Sequence, residues 1–132
     1  MNTSFEITHM MHITETPITH APNIESHVSG CLKINGINYY QAVIVGSWHI
    51  TELPSTFTPQ DLNTHSFQAA IDDKAEVIII GTGDKQQFLN PQINIALAQQ
   101  GIGIEYMNTA SACRTITLLQ SENRNVWAWL WA

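Results

Sequence analysis

Val77-Ile78-Ile79-Ile80 is the run that most limits what this chain can fold into. Four consecutive β-branched residues favour extended backbone. Apolar side chains on both alternating faces then require cover on both sides, as in the central strand of a helix-covered sheet. The residues that follow supply that cover. Gly81-Thr82-Gly83 reads as a turn, Asn90-Pro91 opens a helix that Gly101 closes, and Ile102–Met107 alternates as a second strand. Asn108 or Thr109 then caps a helix to about Ser121, and Val126–Ala132 reads as a last strand. Strands alternating with helices predict an α/β domain. Because parallel crossovers are right-handed, strands 77–80 and 102–107 should end on one edge, which sets Gly81-Thr82-Gly83 beside Asn108–Ser111.

Upstream the signals are shorter. Asn35-Gly36 separates Leu32–Ile34 from Ile37–Tyr39, and this pair suits the positive φ angles of a type I′ hairpin turn. Ala42–Val45 continues or adds a strand, for five or six in all. Thr58, Pro59 and Asp61 form the start signature of a helix that should run to about Ile71. Residues 1–27 read as an irregular N-terminal segment interrupted by Pro17 and Pro22, and 28–132 as a single α/β domain.

Charge narrows the function classes. Five Lys and Arg against eleven Asp and Glu leave a net charge of -6. A phosphate-backbone partner needs a concentrated basic face, so nucleic acid is not an expected partner. No apolar stretch approaches the roughly 20 residues of a membrane span. The N-terminus has neither a basic segment nor a continuous apolar one, so no secretory signal is expected. Cys31 and Cys113 form no disulfide framework and no zinc spacing, and the six histidines are scattered. His9 and His12 could meet across one helical turn, but no third ligand stands at an obvious spacing, and no metal or cofactor is expected. The reading is a cytoplasmic protein.

Two groups of residues are candidates for a site. In the first, Gly81, Thr82 and Gly83 offer backbone N–H groups, although neither a Walker A ending nor a third glycine follows. Ser111, Arg114 and Thr115 share one face of the helix that starts nearby. A helix start and a guanidinium both suit a small anion, so Gly81, Thr82, Gly83, Ser111 and Arg114 form a candidate ligand cleft. Against this stands a purely structural glycine turn and an Arg paired with an acidic neighbour. Cys113 lies beside the apolar stripe and no base accompanies it, which favours a packed, inert thiol and leaves no catalytic residue to name. In the second group, Trp127, Trp129 and Trp131 alternate along the last strand. They are either core side chains or a surface for a protein partner or a second copy of the chain.

The segments VIIIGTGDKQQFLNP (77–91) and GIGIEYMNTASACRT (101–115) resemble the uncharacterised bacterial and archaeal family related to mitochondrial complex I (NADH dehydrogenase) assembly factor 3. The positions that carry the resemblance are Gly81-Thr82-Gly83, Phe88, Gly101–Glu105, Met107-Asn108-Thr109 and Ala112–Thr115. The resemblance implies a three-layer α/β fold, with a central mixed sheet flanked by helices and a small β-hairpin element. It implies no established reaction. It points to a non-catalytic protein-binding or assembly factor, with an anion-binding protein or enzyme using the 81–83 and 108–115 cleft as the alternative.

Overall fold

The computed structural model describes residues 14–18 and 20–132. The described strands, in chain order, are β1 (Thr14–Pro17), β2 (Ile24–Val28), β3 (Cys31–Ile34), β4 (Ile37–Tyr39), β5 (Val43–Val45), β6 (His49–Glu52), β7 (Val77–Thr82), β8 (Gly103–Met107) and β9 (Val126–Trp131). The α-helices are α1 (Gln68–Asp72), α2 (Pro91–Gln99) and α3 (Thr109–Ser121), and two 3-10 turns, Pro59–Asp61 and Thr64–Phe67, precede α1.

Six strands form a mixed sheet in the order β1-β6-β5-β9-β7-β8, and β2-β3-β4 form a separate antiparallel sheet. The Val77–Ile80 run lies inside β7, between β9 and β8, and is parallel to both. Every residue of β7 is buried, because each face meets a different core. Val77 and Ile79 pack with Ala112, Ile116, Leu32 and Ile34, which places α3 and the small sheet on that face. Ile78 and Ile80 pack with Phe67, Ala70, Ile93 and Leu97, which places α1 and α2 on the other. The domain is therefore three layers deep.

Local signals end the elements as the sequence suggests. The Asn35-Gly36 turn has φ values of 52° and 78°, and it holds Ile34 opposite Ile37. Asn90 accepts from the Gln92 N–H at the start of α2, with Pro91 in the first turn. Asn108 accepts from the Ser111 N–H at the start of α3.

Two expectations need correction. The stretch 1–27 is not irregular throughout, since Thr14–Pro17 and Ile24–Val28 are strands. β1 pairs with β6, itself absent from the strands expected, and it ends in Pro17. An edge strand tolerates proline because one side of its backbone needs no partner. β2 carries a register shift between Ile24 and Ser26, which breaks the alternation that would have revealed it. The second correction concerns the helix expected from Thr58 to Ile71. Leu62 and Asn63 are extended, with ψ of 140° and -179°, and they divide it into separate turns. Asn63 accepts from the His65 N–H and so starts a new turn where a continuous helix would have run.

Candidate functional site

The end of β7 and the start of α3 meet directly. The Thr109 N–H donates to Gly83 O at 2.8 Å, and the Gly83 N–H donates to Thr109 Oγ1 at 2.8 Å. Thr109 Oγ1 in turn donates to Trp131 O at 2.6 Å, so one wholly buried hydroxyl joins β7, β9 and α3. Thr82 works in the same way. Its hydroxyl donates to Lys85 O at 2.6 Å, lies 3.2 Å from Met107 O, and accepts the Gln87 N–H at 3.1 Å.

The glycines answer to packing and conformation. A Cβ on Gly81 would lie 2.9 Å from Leu130 Cδ2 and 3.0 Å from both Ala112 Cβ and Thr109 Oγ1, so α3 can approach β7 only over a glycine. Gly83 has φ of +92°, which L side chains rarely adopt.

Ser111 is half-buried and Arg114 exposed, and Arg114 Nη2 donates to Ser111 Oγ at 3.1 Å. The structure thus brings Gly81, Thr82 and Gly83 to the start of α3, and separately pairs Ser111 with Arg114. The Gly83 N–H and the Thr82 hydroxyl are already committed to protein partners. Asp84, exposed on the same loop, accepts from Ser29 Oγ at 2.6 Å and sets a carboxylate beside the turn. Thr109 is the organising residue that sequence reasoning missed. Its position after the cap was readable, but its bond to Trp131 spans 22 residues and left no local signal.

Cys113 is 7% exposed, and burial pushes its thiol up to about 11. A thiol so placed is neutral at physiological pH and is not a nucleophile. Among the described residues no three His, Cys, Asp or Glu side chains are grouped to hold a metal ion. His9 and His12 lie outside the described residues. No helix among the described residues is long and apolar enough to cross a membrane.

The three tryptophans share the α1–α2 face of the sheet but meet different surroundings. Trp129 is 1% exposed and stands edge-on to Phe67 at 4.7 Å. Trp131 is half-buried, stacks on Phe57 at 6.2 Å, and donates its indole N–H to Phe57 O. Trp127 is half-buried and donates to Asp73 Oδ2 at 2.9 Å. A partner surface made of all three would require Trp129 to leave the core, whereas Trp127 and Trp131 already reach the surface.

Comparison with known proteins agrees with this architecture. A protein of Bordetella parapertussis of known crystal structure superposes with a TM-score of 0.75 at 27% identity, covering 87% of this chain and 98% of that one. The cattle protein named NADH dehydrogenase [ubiquinone] 1 alpha subcomplex assembly factor 3 is 34% identical over 119 residues, which cover 83% of this chain and 59% of that protein. The Francisella tularensis 13 kDa major membrane protein is 28% identical over 118 residues, covering 89% of this chain and 96% of that protein. The match spans only 36% of the mouse assembly factor and 59% of the cattle one, so it reaches a part of those longer proteins. The model of the family described as "Protein of unknown function (DUF498/DUF598)" matches residues 24–131, and the chain belongs to that family.

Proposed function

We propose that this protein is a non-catalytic, protein-binding factor of the assembly type. The observation that carries the reading is the hydrogen bonding around Thr82, Gly83 and Thr109. The polar groups best placed to serve a ligand at the sheet edge are instead used within the fold, Thr82 closing the 82–87 turn and Thr109 tying the end of β7 to β9 and α3. The one cysteine near the helix start is buried and neutral, so the same region supplies no activated nucleophile. The likeness to proteins named as assembly factors supports a role carried out by a surface.

The test is affinity purification at native abundance with mass spectrometry, followed by reconstitution of the complex from purified components. The expected result is a partner that co-elutes stoichiometrically on size exclusion. Retention of no partner, together with anion-dependent stabilisation that Arg114→Ala abolishes, would replace this reading with the small-anion cleft.

A further inference from the structure

A second surface feature lies across the sheet from the glycine turn. Register pairs Glu15 with Thr51, Thr51 with Ile44, and Ile44 with Trp129, so these four side chains form one row on the α1 face. α1 and its preceding turns cover the Trp129 end of that row. Toward β1 they leave a hollow of about 240 Å³, lined by Ile44, His49 and Thr51 of the sheet, by Ser66 and Trp127, and by the exposed Glu15.

Three properties of this hollow are chemical. First, the orientation of Trp127 is set in advance. Its indole N–H is bonded to Asp73, which also accepts from Ser47 Oγ at 2.6 Å. Its six-membered ring presses on Gly46 so closely that a Cβ there would lie 2.7 Å from the ring. Donation to a carboxylate enriches the indole π system, which strengthens its attraction for a cation. Second, among the described residues the lining contains a carboxylate and no Lys or Arg, in a chain whose net charge is -6. Third, the hollow falls below the roughly 300–1,000 Å³ of ordinary small-molecule pockets, a size suited to one side chain and not to a cofactor.

We propose that this hollow is a guanidinium subsite that takes an arginine side chain of the protein partner, an inference that rests on the protein-binding reading above. A planar guanidinium stacks on an indole face, and its five donors match the Glu15 carboxylate and the Thr51 and Ser66 hydroxyls. A lysine ammonium cannot stack, and a quaternary ammonium would leave those acceptors without donors. Glu15 on β1 and Trp127 on β9 are three strand spacings apart, about 14 Å, a gap that both side chains narrow, the Trp127 ring by lying over Gly46.

The test uses the full chain with N-acetyl-arginine amide as the probe and the neutral isostere N-acetyl-citrulline amide as the control. Binding is followed by the Trp127 indole N–H resonance. The arginine compound should bind at least about tenfold more tightly than the citrulline compound, and Glu15→Gln should weaken it roughly fivefold, the loss of one charge-assisted contact. Glu15 is exposed on an edge strand, so this variant keeps the fold. Equal binding of the two compounds, or binding indifferent to Glu15→Gln, overturns the subsite. If the subsite fails while a partner still co-elutes with both wild type and Glu15→Gln, the protein-binding reading survives alone. If the arginine compound binds as expected and no partner is retained, the guanidinium site stands, its source is a free ligand, and the protein-binding reading falls.

Discussion

Thr109→Val isolates the buried hydroxyl that joins three elements. Valine keeps the size and branching of threonine, so packing changes little while both hydroxyl bonds are lost. The Gly83 N–H, bonded to Thr109 Oγ1 at 2.8 Å in a buried setting, is left without an acceptor. Trp131 O loses its 2.6 Å donor, but it is only part-buried and water can reach it. An unsatisfied buried group costs about 1–3 kcal/mol, so about 2 kcal/mol for the amide and about 1 for the carbonyl gives ~3 kcal/mol. That is a large share of the roughly 5–15 kcal/mol by which a domain is stable, and it should lower the melting temperature by about 10 °C. Urea unfolding followed by tryptophan fluorescence and by far-UV circular dichroism measures it. Thr109→Ser is the control, because it keeps the hydroxyl and loses a methyl group worth about 1 kcal/mol. If valine costs no more than serine, the hydroxyl does not join the strands to the helix and the structural account of the glycine turn is wrong.

Gly81→Ala should destabilise by about 1–3 kcal/mol, because its Cβ would meet Leu130, Ala112 and Thr109 at 2.9 to 3.0 Å; a thermal melt within error of wild type would show that α3 can retreat. Burial raises the Cys113 thiol from 9.0 to about 11, so the fold favours the neutral form. Stability from this group is complete below pH 9 and is lost as pH rises toward 11. Unfolding curves between those values should therefore fall more steeply for wild type than for Cys113→Ala, and parallel curves would contradict the placement. Glu76 has its carboxyl held below the usual 4.5, first by the Asn125 N–H and then by Arg124. Its contribution is present above pH 4.5 and lost as pH falls below it. Glu76→Gln should flatten the acid limb of the stability profile, and an unchanged limb would assign that limb to other carboxylates.

The part of the fold from Val77 onward was legible because its signals are local. β7 announces itself by four β-branched residues, α2 by Asn90-Pro91, and α3 by Asn108 with an apolar stripe at Ala112 and Ile116. β1, β2 and β6 were not legible. They are four or five residues long and partly polar, and their pairing depends on partners elsewhere in the chain or on an irregular register. The break at Leu62-Asn63 escaped for a related reason. Asn63 can cap a turn or continue one, and local sequence does not decide between these uses.

The candidate site divides along the same line. By itself the sequence led to the expectation that the 81–83 turn and the start of α3 share an edge, because strands alternating with helices pair in parallel and parallel strands end on the same edge. Only the tertiary structure decided that Thr109 bonds across to Gly83 and Trp131, which are 26 and 22 residues away. It also decided that tryptophans at identical spacing differ, Trp129 sealed against Phe67 and Trp127 held at the surface by Asp73, 54 residues distant. Periodicity and caps act over a few residues, so a sequence displays them. Burial and hydrogen-bond partners depend on which distant segments cover each side chain, and that is settled only when the layers pack.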